Sequence, residues 1–225
     1  MKRVEPGKYP LETERIWEAE GVPVLRLVLR LPQPPCGAGK SAAQRILRYY
    51  QRMARVCFQH CEQVLLPRAQ AACRTALASS APLPCFSVNV DHRITLEKNG
   101  IWSLCVYSRA CCGPGPVLLT WWGDTWELAS GRLLPLSACF PRGTPRKRLL
   151  TDTAARCMEA REAAGVFRYW DSWRRDLRRR FDPQRFFLTD DGLSFFYGMY
   201  ELGPASEGIP EFSLPYGPDG PILPR

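Results

Sequence analysis

Histidine and lysine are scarce in this chain, and long apolar runs are absent. Histidine occurs only at His60 and His92, which leaves few side chains for histidine-dependent catalysis or metal binding. No apolar segment approaches the ~20 residues that span a bilayer, and the basic N-terminus lacks the apolar stretch of a signal peptide. We therefore expect no membrane span and, with Met1 as the native start, a cytoplasmic location.

Lysine contributes only five of the 31 basic residues, and the other 26 are arginines. The formal net charge of +9 invites a nucleic-acid hypothesis. The arginines are spread along the whole chain, however, instead of being concentrated in one tail. This dispersal argues against DNA as a partner and leaves binding of RNA or of an acidic partner as an alternative.

Ten cysteines make up less of the chain than the ~8–10% that marks a disulfide scaffold. Several fall at apolar positions, so we expect reduced cysteines in the core. Cys57, His60 and Cys61 lie close together in sequence, but structural zinc sites show two separated Cys/His pairs. We therefore predict that these three residues belong to the core and that no metal is bound.

The segment Gly39-Lys40-Ser41 resembles the end of a phosphate-binding loop. Such a loop needs a glycine at the position of Pro34, because backbone N–H groups wrap the phosphates. The alternative is that Ser41 caps a helix, with Gln44 completing a capping box. We favour the cap and predict no nucleotide or other cofactor.

Apolar periodicity predicts an α+β fold, with helices packed on one face of an antiparallel sheet and two sequential halves. In residues 22–31 a face of leucines is the expected core side of a strand. The pattern predicts further strands at 86–96, 101–108 and 117–128, and helices at 41–66, from Pro67 onward and at 151–164. Trp170, Trp173, Leu177 and Phe181 form the apolar stripe of another predicted helix, which has Arg174, Arg175, Arg178 and Arg179 on its opposite face.

Residues 186–215 predict three strands joined by short turns, the first of them at Asp191-Gly192. The motif Phe186-x-Leu188-Thr189-Asp190-Asp191-Gly192-Leu193 is followed by Tyr200-Glu201, Gly208 and Phe212-x-x-Pro215-Tyr216. This motif resembles the C-terminal domain of RsiV-type anti-sigma factors, whose outer domain is a lysozyme receptor. It also resembles the non-catalytic module of PdaC-type peptidoglycan deacetylases, and the layout of residues 107–140 is similar to that module.

The resemblance implies a division into a lead-in at 1–20, a PdaC-like half at 21–141, an RsiV-like half at 142–216 and a tail at 217–225. It also implies a recognition module without catalytic activity, which binds a protein or a cell-wall glycan. The resembled family lies outside the membrane, unlike the location expected from the N-terminus.

The residues considered for ligand contact are Trp121, Trp122, Tyr200 and Glu201. Exposed aromatic rings supply contact area and Glu201 a polar contact, although a place in the core is the alternative for each tryptophan. A peptidoglycan-fragment hydrolase is a further alternative, for which the carboxylates are those of Asp190, Asp191, Glu201, Glu207 and Glu211. Because no nucleophile, base or metal set assembles in the sequence, we do not predict an enzyme.

Overall fold

The computed structural model describes residues 9–218 and 220–224, which form an α+β structure. In the described residues, one sheet contains the first six strands in sequence order, and a second sheet contains the last three, also in sequence order. Contacts divide the chain into two compact units. The first contains the residues up to His92 together with Tyr107–Leu118, and the second contains Arg93–Val106 and the residues from Leu119 onward.

The predicted fold class is confirmed, but the two units do not follow the predicted boundary between 141 and 142. Strands β3 (Phe86–Lys98) and β4 (Ile101–Cys112) each contribute residues to both units. The division into PdaC-like and RsiV-like halves stays a prediction.

In the first unit, β1 (Glu12–Ala19) and β2 (Val22–Arg30) form an antiparallel hairpin. Leu25, Leu27 and Leu29 of β2 are fully buried, which confirms the leucine face. The sequence predicted only a weakly patterned lead-in for residues 1–20, and this prediction was wrong for β1. This strand is charged and lies at the edge of the sheet, where it has no continuous apolar face that a sequence pattern could reveal.

Strand β2 pairs with the beginning of β3 in parallel, with Leu27 opposite Val88. A purely antiparallel sheet was therefore the wrong expectation at this position. The connection between the two strands contains α1 (Lys40–His60) and α2 (Leu66–Ala78). A parallel pair requires such a long crossover.

Helix α1 begins at Lys40 with Gly39 at the N-cap position, and no side chain caps it. The predicted Ser41 cap is therefore wrong, because Ser41 already lies inside the helix. A π-helix, Cys61–Leu65, then separates α1 from α2. Its wider turn shifts the buried face of the residues that follow, so that Leu65 is buried and Val64 is exposed. The core prediction for His60 is wrong, because this residue is exposed at the end of α1.

The hairpin between β3 and β4 forms at Asn99-Gly100, a dipeptide that is typical of a two-residue hairpin turn. Both residues have positive φ angles, of 53° and 75°, which this turn type requires. Strand β5 (Leu118–Glu127) and the short β6 (Arg132–Leu133) complete the larger sheet.

The second unit also contains α3 (Arg146–Ala163) and the seven-residue α4 (Trp173–Arg179). Trp173 and Leu177 are buried as predicted, and the four arginines of α4 are exposed. The prediction that Trp170 belongs to the apolar stripe of this helix is wrong, because Trp170 precedes the helix and is exposed. The predicted meander at 186–215 is confirmed as β7 (Phe186–Leu188), β8 (Gly192–Phe196) and β9 (Glu211–Pro215), each antiparallel to the next.

The ten cysteines are all free thiols. The expectation that several cysteines lie in the core is confirmed for Cys61, Cys73, Cys105 and Cys139, whereas Cys36 and Cys85 are exposed. Burial raises the pKa of Cys61, Cys105 and Cys139 to about 12, which keeps these thiols protonated and unreactive at neutral pH. No helix in the described ranges is both long and apolar enough to cross a membrane.

Candidate recognition surface

Two of the predicted contact residues lie in one tight turn that follows β8. The Glu201 N–H donates to the Gly198 carbonyl oxygen at 3.2 Å, which closes the turn. Tyr200 has a φ of +68°, a left-handed conformation that side chains other than glycine rarely adopt. Its side chain is 42% exposed. The turn therefore presents Tyr200 to solvent in a strained conformation.

The Glu201 carboxylate points back into this turn. It accepts a hydrogen bond from the Gly198 N–H at 2.7 Å and another from the Arg185 guanidinium at 2.6 Å. Its side chain is only 17% exposed. Arg185 also pairs with Asp182 at 3.5 Å. Glu201 thus stabilises the turn that carries Tyr200, and its charge is already partnered.

A second exposed aromatic residue, Trp170, joins the same turn. Its indole Nε1–H donates to the Tyr200 carbonyl oxygen at 3.2 Å, and its backbone N–H donates to the Leu202 carbonyl oxygen at 2.9 Å. The Trp170 side chain is 43% exposed. We call Trp170 and Tyr200 the aromatic patch.

Gly203 permits the close approach of the two segments of the aromatic patch. A Cβ atom at this position would lie 2.6 Å from the carbonyl oxygen of Arg168, which is closer than non-bonded atoms allow. Any side chain at position 203 would therefore push the loop of Trp170 away from the turn of Tyr200.

The loop before Trp170 is anchored by aromatic and cationic contacts. Tyr169 stacks on Phe167, with ring centroids 5.9 Å apart and an interplanar angle of 5°. The Arg161 guanidinium lies 5.1 Å from the ring centroids of both Phe167 and Phe212, and it donates to the Glu211 carbonyl oxygen at 3.0 Å. Burial raises the pKa of Tyr169, while Arg161 opposes this shift. The loop is therefore fixed against β9.

Trp121, the third predicted contact residue, is half-buried on β5. Its ring meets Phe196 edge-on at a centroid distance of 5.6 Å, and the Arg93 guanidinium lies 5.5 Å from its centroid. Arg93 in turn pairs with Glu211 at 3.7 Å. Trp121 therefore has mainly a packing role.

Strand β5 also touches the turn of Tyr200. The N–H of Leu119, which lies on the same face of β5 as Trp121, donates to the Met199 sulfur at 3.2 Å. Trp122 is 37% exposed and lies on the opposite face of the strand, because successive side chains alternate. The structure therefore places Tyr200, Glu201 and Trp121 on connected elements and directs Trp122 elsewhere.

The carboxylates considered for hydrolysis include two that are paired with arginines, Glu201 with Arg185 and Glu211 with Arg93. Over residues 9–218 and 220–224, no group of three or more His, Cys, Asp or Glu side chains is arranged to hold a metal ion. The chemistry that the aromatic patch offers is contact through two exposed rings, one of them held by the Trp170 indole hydrogen bond.

Comparison with known proteins places this patch within a recognised segment. Residues 160–217 match the family model described as a protein of unknown function, DUF3298. The matched segment contains Trp170, Arg185, Tyr200 and Glu201, whereas Trp121 and Trp122 lie outside it. None of the curated proteins compared matches the chain.

Two crystal structures of DUF3298 proteins are similar to the whole chain. The one from Bacteroides fragilis NCTC 9343 is 14% identical, with a TM-score of 0.64, and the alignment covers 91% of this chain and 88% of that one. The one from Pseudomonas aeruginosa PAO1 is 18% identical, with a TM-score of 0.54 and coverage of 95% and 93%. The chain shares the fold of DUF3298 proteins. At these identities the likeness concerns fold alone.

Proposed function

We propose that this chain is a non-catalytic recognition module that binds a protein ligand through the aromatic patch. The observation that carries the proposal is the way in which Trp170 and Tyr200 are held. Two hydrogen bonds join Trp170 to the turn, and Tyr200 keeps its positive φ angle with its ring in solvent.

This arrangement is costly for the isolated chain. A residue other than glycine in the left-handed region costs on the order of 1–3 kcal/mol, and such strain clusters at ligand-binding positions. Trp and Tyr are also the residues that dominate the binding energy of protein interfaces, since they add large contact areas with few rotatable bonds. A strained, exposed Tyr200 beside an exposed Trp170 fits a surface shaped for a partner.

The resemblance to RsiV-type and PdaC-type modules supports the same function. The residues that carry it, from Phe186 to Tyr216, lie within the segment that matches DUF3298. RsiV-type domains bind a protein, namely lysozyme, which is therefore the first protein probe. A cell-wall glycan is the other kind of ligand that the resemblance implies.

We assign no catalytic role to the carboxylates around the patch. Glu201 is committed to Gly198 and Arg185, and Glu211 pairs with Arg93. A general acid or base needs a carboxyl group that faces the substrate. The proposal accordingly predicts no turnover of peptidoglycan fragments by the purified chain.

The experiment measures binding of a C-type lysozyme and, separately, of soluble peptidoglycan fragments to the immobilised chain. We expect lysozyme to bind, and Trp170→Ala and Tyr200→Ala each to weaken it by roughly 10–30-fold, as for interface hot spots. Trp122→Ala is the matched control, because it removes an exposed aromatic ring outside the patch. Binding of the fragments without lysozyme, or an equal loss in Trp122→Ala, would contradict the proposal.

A further inference from the structure

Helix α1 in the first unit carries a row of arginines on its exposed side. Arg45, Arg48, Arg52 and Arg55 are all exposed, and their spacing of three and four residues places them along one side of the helix within an arc of about 80°. We call these four residues the arginine ridge. At a rise of 1.5 Å per residue, the ridge is about 15 Å long.

The helix beneath the ridge is held firmly in the first unit. Its opposite face is a buried stripe of five residues: Ala42, Ile46, Tyr50, Ala54 and Phe58. The position of the ridge is therefore set by packing, and the row of charges does not depend on a flexible loop.

Helix α1 supplies no acidic residue of its own to the ridge. No acidic residue occurs between Lys40 and His60, and Glu62, just beyond the helix, pairs with Arg15 at 2.9 Å. Within the described part of the chain, Arg48, Arg52 and Arg55 form no ion pair. These three guanidinium groups remain available to an external anion.

The arginines of α4 provide an internal contrast. Arg174 pairs with Glu159 at 3.1 Å, Arg175 with Asp176 at 3.8 Å and Arg178 with Asp152 at 3.8 Å. Three of the four arginines of α4 are thus paired, whereas Arg48, Arg52 and Arg55 of α1, with similar exposure, form no ion pair within the described residues. The lack of ion pairs on the ridge is therefore not a general property of the exposed arginines in this chain.

We infer that the arginine ridge binds the phosphate backbone of single-stranded RNA. Stacked nucleotides advance about 3.4 Å per phosphate along a strand, so a ridge of about 15 Å spans four to five phosphates. A single strand follows a straight row of charges, whereas the strands of a duplex wind away from it. No exposed aromatic ring lies within the ridge to stack on a base, so we expect binding without sequence preference.

Two other anionic surfaces fit the ridge less well. A membrane-bound amphipathic helix inserts its apolar face into lipid, but the apolar face of α1 is buried inside the protein. An acidic protein would need carboxylates built at matching intervals, whereas a phosphodiester chain carries a charge at every unit.

The experiment measures the affinity of the full chain for a fluorescent single-stranded RNA of mixed sequence between about 50 and 200 mM salt. With three phosphate contacts on a single strand, from Arg48, Arg52 and Arg55, the slope of log K against log salt is about −2.1, which corresponds to roughly 20-fold weaker binding across this range. Replacing Arg48, Arg52 and Arg55 by alanine removes these three contacts, and we expect the slope to fall close to zero. Replacement of the same three residues by lysine keeps the charge and most of the slope.

The matched control replaces Arg174, Arg175 and Arg178 by alanine, which lowers the net charge by the same amount. The slope of this variant is expected to stay near that of the parent chain. An equal loss in both alanine variants would show that net charge alone drives binding and would overturn the inference. So would a lack of RNA binding, or stronger binding of polyglutamate or of anionic vesicles at the same salt.

Discussion

Glu201 offers a sharp test of how the aromatic patch is built. In the structure its carboxylate joins the Gly198 N–H and the Arg185 guanidinium at 2.7 and 2.6 Å, with little exposure to solvent. Hydrogen bonds to charged groups contribute about 1.5–3 kcal/mol to stability. Glu201→Gln keeps an acceptor for the Gly198 N–H but loses the charge opposite Arg185. We expect it to lower the free energy of unfolding by about 1–2 kcal/mol, and Glu201→Ala to lower it by about 3 kcal/mol.

The assay is urea denaturation. With a slope near 2 kcal/mol per M, Glu201→Gln should shift the midpoint downward by about 0.5–1 M. Glu97→Gln is the matched control, because Glu97 is exposed and its loss should change stability by less than about 0.5 kcal/mol. If the two variants have the same midpoint, the Glu201 carboxylate does not stabilise the turn, and the explanation of how Tyr200 is presented fails.

Three further changes test the patch and the core beneath it. Gly203→Ala should cost about 1–3 kcal/mol in urea denaturation, because its Cβ would lie 2.6 Å from the Arg168 carbonyl oxygen; Gly37→Ala, which meets no atom within 4 Å, should be neutral. Tyr200→Gly removes the strain at φ +68°, so its melting temperature should be equal or higher while lysozyme binding weakens by roughly 10–30-fold, as in Tyr200→Ala; a clear loss of stability would contradict the strain argument. Burial raises the pKa of Tyr197 above its ordinary value of 10.0, so folding favours the neutral phenol, which donates to the Leu177 carbonyl oxygen at 2.9 Å. The contribution of this phenol to folding stability is complete below pH 10 and declines as the pH rises beyond 10. Between about pH 9 and 11, the urea midpoint should therefore fall less steeply with pH in Tyr197→Phe than in the parent chain. An identical dependence on pH would refute this expectation.

The parts of the fold that the sequence predicts correctly depend on neighbouring residues. Asn99-Gly100 forms a hairpin because both residues tolerate positive φ angles. The leucines of β2 alternate, and their face is buried. The meander at 186–215 combines apolar runs with a turn at Asp191-Gly192. Each of these signals lies within a few residues, so a single sequence is enough to reveal it.

The errors arise where long-range contacts decide. Strand β1 is recognised only through its pairing with β2. The parallel pairing of β2 with β3 depends on how the helices between them cross over. Ile94 lies on the apolar face predicted for β3, yet it is exposed.

The aromatic patch was predicted only in part, for the same reason. Tyr200 and Glu201 were identified from the motif, but Trp170 was assigned to a helical stripe because its spacing from Trp173 and Leu177 fits one. The Trp170 N–H instead binds the Leu202 carbonyl oxygen, 32 positions away, and this contact prevents the helix from extending. Glu201 was expected to face a ligand, whereas its partner Arg185 lies 16 residues earlier in the chain. The sequence does not reveal in which direction a carboxylate in a turn points.

The distribution of charge shows most clearly that a sequence does not reveal contacts between distant residues. The even spread of arginines along the sequence argued against a nucleic-acid partner, but neutralisation is a property of the folded chain. Arg178 meets Asp152 across 26 positions, and Arg174 meets Glu159 across 15, whereas α1 has no acidic residue of its own and gains none for Arg48, Arg52 or Arg55 within the described residues. Folding therefore pairs three of the four arginines on the exposed face of α4 and leaves Arg48, Arg52 and Arg55 on the exposed face of α1 without an ion pair in the described residues. A net charge of +9 cannot distinguish these two faces, because partner binding responds to unpaired charges at fixed spacing.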